Sequence, residues 1–343
     1  MKISSKAFSF LFIIVFVNAQ TFSGSAAFLK RGMSARAIGM GSAYTAIADD
    51  PSACFWNPAG LLNLSGFNLQ LSDLQDDLIN VESFGDVNSP QFALSYNFRK
   101  PLLKTVYWAL GAAANGFFVK DIDQYDSESN YIDSFNFGEY AVFFSTAFRV
   151  RFLKVGITWK FIEQNFGLDD QFIQNSQESL NFPLILKPHD LGIMYNPTEY
   201  LTVGLIVRDS IRVGVYDVYP KSSQLGIKFD LNAVNLSLPH HLILATDVIV
   251  IQNSLNKMNV GGEYEYLRTE DLSFAVRLGM SNMIIGMEGK VGNLNEVAPA
   301  NLKGAFGLGM RFKKVRIDFA WVQEIMRDPY SEFLVWTISW GSK

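Results

Sequence analysis

The sequence predicts an all-β protein: a transmembrane antiparallel β-barrel of about fourteen strands, with an N-terminal plug, or hatch, in its lumen. Three observations carry this expectation. The 343 residues are 49% hydrophobic but only 18% charged, with a mean hydropathy of +0.12, whereas soluble domains average about 25% charged residues. Beyond the N-terminus no uncharged run approaches the ~20 residues that a membrane helix requires. From residue 67 onward, short segments alternate apolar with polar or small residues, the period of a strand whose two faces meet different surroundings.

The elements follow in chain order. Lys2 and Lys6 precede the apolar run from Phe8 to Val17, and Val17-Asn18-Ala19 supplies small residues after it. This is the pattern of a secretory signal peptide, residues 1–19, cleaved after Ala19. A membrane anchor would need a longer apolar run. Residues 20–64 do not alternate. They are rich in Ala, Gly and Ser, include a short helical candidate at Ser42–Ala48, and then read Asp49-Asp50-Pro51 and Asn57-Pro58-Ala59-Gly60. Gly39 and Gly41 permit close backbone approach, Asp49 or Asp50 is placed to cap the following turn, and Asn57-Pro58 is a turn signal. A small-residue segment of this kind suits a plug inside a barrel.

Residues 65–343 carry the barrel. Phe92, Leu94, Tyr96 and Phe98 share one face of a strand, as do Val155, Ile157, Trp159 and Phe161. Leu225, Ile227, Phe229 and Leu231 stand against Gln224, Gly226, Lys228 and Asp230. Val315, Ile317, Phe319 and Trp321 repeat the split opposite Arg316 and Asp318. Turn signals rather than helical segments separate the strands, which argues for antiparallel hairpins.

Alternation alone also fits an exported soluble β-sandwich that binds a partner. Glycines and charges together on the polar face favour a crowded lumen. Aromatics near segment ends (Tyr96 and Phe98, Tyr264 and Tyr266, Trp321, Trp336 and Trp340) favour interfacial girdles. The final segment sets Leu334, Trp336, Ile338 and Trp340 on one face, as a closing strand would. Two polar connections, 120–137 and 163–189, read as long extracellular loops, the places where partners are met. Asp121, Asp123, Asp126 and Glu128 lack the Gly and terminal Glu of a calcium loop, so these residues read as solvated.

The chemistry available is sparse. One cysteine, Cys54, and three histidines exclude a disulfide framework and a multi-cysteine metal site. His240 and His241 are adjacent, so on a strand they point to opposite faces. His189 follows a proline at a strand start. The glycines of Phe306-Gly307-Leu308-Gly309 open no helix and make no nucleotide fingerprint. The net charge of −4 without basic blocks leaves no footprint for nucleic acid. We therefore expect no enzyme, cofactor or metal. The charges Arg208, Lys228, Asp230, Glu263, Glu265, Arg277, Arg311, Arg316 and Asp318 are expected to pair across strands and hold the plug.

The stretch GMGSAYTAIADDPSACFWNPAGL resembles the N-terminal signature of the PorV/PorQ family of outer-membrane proteins, itself similar to FadL-type barrels. The matching positions are Gly39, Gly41, Ala43, Ala48, Asp49, Asp50, Ala53, Trp56, Asn57, Pro58, Ala59, Gly60 and Leu61. Later stretches (189–209, 225–232 and 306–321) resemble the family more loosely. The resemblance implies a fourteen-stranded FadL-like barrel in the outer membrane, with a hatch motif at Gly39, Gly41, Asp49, Asp50, Trp56, Asn57, Pro58 and Gly60. For PorV-like members it implies type IX protein secretion, with secretion-system proteins and cargo met through extracellular loops. For FadL-like members it implies passage of hydrophobic small molecules such as fatty acids. Membrane lipid is a partner on either branch.

Overall fold

The computed structural model describes residues 27–76, 87–103, 106–125, 128–166, 190–208, 211–213, 217–219, 221–234, 240–251, 256–286, 302–325 and 332–341. The expected signal peptide, His189 and most of the 163–189 connection lie outside them. The strands are β1 (Gly66–Asp76), β2 (Val87–Leu103), β3 (Val106–Tyr125), β4 (Tyr131–Val150), β5 (Leu153–Phe166), β6 (Asp190–Tyr195), β7 (Leu201–Arg208), β8 (Ile211–Val213), β9 (Asp217–Tyr219) and β10 (Ser222–Asp230). They continue as β11 (His240–Ile251), β12 (Asn256–Leu267), β13 (Leu272–Gly286), β14 (Lys303–Phe312), β15 (Val315–Glu324) and β16 (Glu332–Gly341). Fourteen of them form one closed antiparallel barrel, sealed where Asn68 of β1 faces Gly341 of β16; among the described residues β8 and β9 pair only with each other. Closure removes the sheet edges and satisfies the backbone groups that lipid could not.

The alternation sets the two faces. On β1, Phe67 and Leu71 are exposed while Asn68, Gln70 and Ser72 are buried. On β13, Phe274, Val276 and Leu278 face out while Ser273, Ala275 and Arg277 face in. Apolar side chains thus clothe the outside and polar or small ones the inside, the reverse of a water-soluble sheet packing. Turns at 151–152, 196–200, 268–271 and 313–314 mark one end of the barrel. Around that end runs a chain of ring contacts: Phe67 with Trp340 at 5.9 Å between centroids, Tyr96 with Phe98 at 4.8 Å, Phe98 with Trp108 at 4.5 Å, Phe152 with Tyr195 at 5.5 Å and His240 with Tyr264 at 5.3 Å. Such a girdle fits the edge of an apolar band about 25 Å tall. Trp321 and Trp336, grouped with it by sequence position, sit higher on the wall, four or more residues along their strands from the turn end.

Two expectations change. Residues 120–137 are largely not a loop: β3 and β4 continue pairing through Ile122 with Phe135 and Asp123 with Ser134 up to Tyr125 with Tyr131. Among the described residues β2 leaves β3 at Val119 and β5 leaves β4 at Phe137, so a two-stranded ribbon rises past its neighbours. Polar residues can extend it because each strand meets the other's backbone hydrogen-bonding needs. Ser42–Ala48 is not a helix. The short helices of residues 27–64 are the 3-10 turns Ala27–Arg31 and Pro58–Asn63 and the α-helical turns Ala35–Gly39 and Ala53–Trp56. In Ser42–Ala48 the amides of Tyr44 and Thr45 donate instead to the Asp247 carboxylate, at 2.9 and 3.0 Å.

Candidate functional site in the barrel lumen

Residues 27–64 run through the barrel interior, and the inward-facing glycines let them in. A Cβ at Gly156, Gly192, Gly204, Gly261 or Gly279 would lie 2.1–2.5 Å from atoms of this segment. These glycines sit on five different strands, so backbone packs on backbone around much of the lumen. The fit is mutual: Gly41 adopts a φ of +61°, and a Cβ there would meet Met280 N at 2.5 Å.

The eight singled-out residues do not converge on one site; they form three separate attachments. Gly39 and Gly41 lie against β13 and β14, where a Cβ on Gly39 would come within 3.1 Å of Gly307. Trp56, Asn57, Pro58 and Gly60 face the opposite strands. Trp56 Nε1 donates to Met33 O at 2.8 Å, and Asn57 Nδ2 donates to Thr45 O at 2.9 Å. Asn57 Oδ1 accepts from Ala59 N at 3.2 Å, capping the 3-10 turn that Pro58 opens. Gly60 leaves room for Ala48 O, 2.1 Å from where its Cβ would stand.

Asp49 and Asp50 form the third attachment, near the turn end. Asp50 Oδ1 accepts from Ser52 N at 2.9 Å, and Oδ2 from Ser34 Oγ at 3.1 Å. The Tyr44 hydroxyl lies 3.0 Å from a carboxylate oxygen of each aspartate. Asp49 pairs with Arg36. Burial pushes the Asp50 carboxyl above its ordinary pKa. It acts the same way on Asp49, but the Arg36 guanidinium overrides it and holds Asp49 below.

Arg36 ties this attachment to the wall. Its Nε and Nη2 both donate to Glu263 at 2.8 Å, a two-pronged pair of the strong, directional kind. Arg277 Nε reaches the same carboxylate at 2.6 Å and Arg316 Nη2 at 3.2 Å, while Arg277 also pairs with Asp318 at 2.8 Å. Across the lumen, Arg208 Nη2 donates to the carbonyls of Phe55 and Trp56 at 3.1 and 3.3 Å. Arg311 reaches Glu265 at 3.4 Å, whereas Lys228, Asp230 and His241 form a smaller group of their own.

Sequence reasoning named Glu263 and Arg277 but missed Arg36 and Asp247. Each carried a signal: Arg36 is a lone charge among small residues, and Asp247 a lone carboxylate in the apolar run of β11. Cys54 is buried beside Gly111, and burial raises its thiol to about 12, which keeps it protonated and unreactive at neutral pH.

The lumen segment has two unlike ends. Toward the turns, Ser34, Arg36, Asp49, Asp50, Arg311 and Arg316 surround a polar cavity of about 250 Å³. Away from them, Phe28, Leu29 and Met33 join an apolar cluster with inward-facing Phe143, flanked by Phe117 and Ile162.

Comparison with protein-family models and with curated proteins gives no match. Among solved structures the chain is similar to the CymD monoaromatic hydrocarbon channel: 16% identity, TM-score 0.58, covering 91% of this chain and 98% of that one. It is also similar to the toluene transporter TbuX of Ralstonia pickettii, at 15% identity and TM-score 0.56, with 92% and 100% covered. The toluene transporter TodX of P. putida follows at 12% identity and TM-score 0.55, with 91% and 99% covered. At these identities the likeness shows the fold alone: this fourteen-stranded closed barrel shares its architecture with theirs.

Proposed function

We propose that this protein is an outer-membrane channel that passes small hydrophobic molecules, with residues 27–64 as its plug. The reading rests chiefly on one observation. Nearly the whole chain superposes on nearly the whole of three barrels known as a hydrocarbon channel or toluene transporters. The lumen supports it: the plug's own Phe28, Leu29 and Met33 make one end of it apolar against Phe143 of the wall, which suits hydrophobic cargo, and the polar attachments at its other end suit a part that must be held yet can let go. In this reading Gly39, Gly41, Trp56, Asn57, Pro58 and Gly60 seat the plug, and Asp49 and Asp50 join it to the charged network. Uptake of labelled toluene and of a long-chain fatty acid by cells expressing the protein, in a host lacking its own such channels, tests the proposal. Uptake above the empty-vector control supports it; no gain for either compound overturns it.

The resemblance of residues 39–61 to the PorV/PorQ signature favours a second reading, a component of type IX secretion. The loop partners it would need are untested, and the hydrocarbon-channel neighbours favour the first reading. Comparing the surface proteome of a deletion strain with its parent separates the two: lost surface proteins with normal hydrocarbon uptake would support secretion.

A further inference from the structure

On the outer wall, an apolar groove of about 710 Å³ crosses β11 to β15. Five adjacent strands at ~4.8 Å spacing give it a length of about 19 Å. Leu244, Leu278, Phe306 and Trp321 wall it, and Gly262 and Gly304 supply much of its floor. These walls belong to the lipid-facing set, with Leu278 64% exposed, so the groove opens to the membrane rather than the lumen.

The two floor glycines differ from the inward ones. A Cβ at Gly262 would first meet Leu244 Cδ2 at 3.4 Å, and one at Gly304 would first meet Ile325 Cδ1 at 3.4 Å, both ordinary contacts. Packing therefore does not require glycine at either position, and glycine inside a strand weakens it. Behind the floor, Gly261 and Gly279 are also without side chains and rest on Met40 and Gly41 of the lumen segment. The wall here is a bare backbone, covered on its inner side by the plug.

We propose that one acyl chain of a membrane lipid lies in this groove as a retained ligand and covers the outer side of that backbone. The groove is apolar, spans five strands and opens onto hydrocarbon. An acyl chain fills it end to end, whereas a single aromatic ring fills only part. The site depends on the barrel lying in a bilayer and is independent of what passes through the lumen.

The test uses the full-length protein in phosphatidylcholine vesicles containing a lipid with a diazirine midway along its acyl chain. After irradiation, labelled peptides are mapped; separately, lipid surviving detergent exchange is counted by native mass spectrometry. Expected are labelling of the β11–β15 face at least fivefold above the β3–β5 outer face and one retained lipid per barrel. Gly262→Leu with Gly304→Leu should reduce both to background. Uniform labelling around the wall, or labelling unchanged in the filled variant, overturns the proposal, as does displacement of the label by toluene, which would assign the groove to a transported ligand. Heat-modifiable gel mobility verifies folding, and Gly304→Ile alone serves if the double variant does not assemble. Failure here leaves the uptake experiment, and the channel reading, untouched.

Discussion

At the residue scale, the lumen turns on the balance around Glu263, a fully buried carboxylate that three guanidiniums share. Removing one partner from a buried ion cluster leaves uncompensated charge, at a cost of about 3–5 kcal/mol. Glu263→Gln should therefore lower the thermal transition of the barrel in detergent sharply, whereas Glu332→Gln at the rim should barely move it. Asp49 and Asp50 should diverge. Asp50 has its pKa raised in the fold, so its contribution is favourable at low pH and is lost as pH rises through that raised value. Asp49 has its pKa lowered; its contribution is present above the unfolded value and disappears only as pH falls through the lowered one. Mild acid should thus tighten the lumen segment before it loosens it. Protease protection of residues 27–64, followed against pH, checks this. Asp50→Asn should leave protection at neutral pH intact and remove its rise in mild acid. Asp49→Asn should weaken it at neutral pH by up to about 1 kcal/mol, the range of a partly exposed pair. The aspartates and Asn57 stood out in sequence because polar residues in a small-residue segment need partners. The partners of the aspartates are near in sequence, Arg36, Tyr44, Ser34 and Ser52, but what holds Arg36 and Tyr44 in turn is Glu263 and Asp247, on strands more than 200 positions away, and no local pattern states that.

At the element scale, period-2 alternation made both faces of each strand legible, since lipid and lumen impose opposite preferences on successive residues. Height was not legible. The aromatic girdle joins residues as distant as Phe67 and Trp340, so register decides that Trp321 and Trp336 stand apart from it. The ribbon of β3 and β4 was misread as loop because, above the lipid, hydrogen-bond pairing continues after the hydrophobic signal stops. The glycines show the same divide. Sequence gives their number, but only register shows that Gly261 faces Gly279 and that both point at Met40 and Gly41 of the lumen segment. This yields a paired prediction. Gly279→Val forces the Met40–Gly41 turn off the wall and should expose the lumen segment to protease and raise ion conductance in planar bilayers. Gly262→Val, one residue from Gly261 but outward, should leave both readouts unchanged. Equal behaviour of the two variants would show that the lumen segment does not bear on this wall.

At the scale of the whole molecule, the barrel and the segment 27–64 in its lumen are held by different forces. The barrel is a closed ladder of backbone hydrogen bonds that begins at β1 and is sealed by β16. No strand comes from residues 27–64, so the ladder is complete without them. The lumen segment is held by close contact with glycines of the wall and by a few charged groups: Arg36 with Glu263, Asp247 with Tyr44 and Thr45, and Arg208 with Phe55 and Trp56. Water can replace such polar contacts, whereas lipid cannot replace a broken strand pair. The two parts should therefore separate experimentally. Deleting residues 27–61 should leave a barrel that inserts into membranes and keeps its heat-modifiable mobility, while its conductance in planar bilayers rises from near closed to that of a water-filled pore. Arg36→Ala with Asp247→Ala should give intermittent openings at an intermediate level, because glycine contacts and Arg208 still hold the lumen segment while its ties to Glu263 and Asp247 are gone. A deletion variant that fails to form a barrel would show that the lumen segment is the core on which the strands assemble. One that folds but stays closed would place the barrier in the loops at the far end.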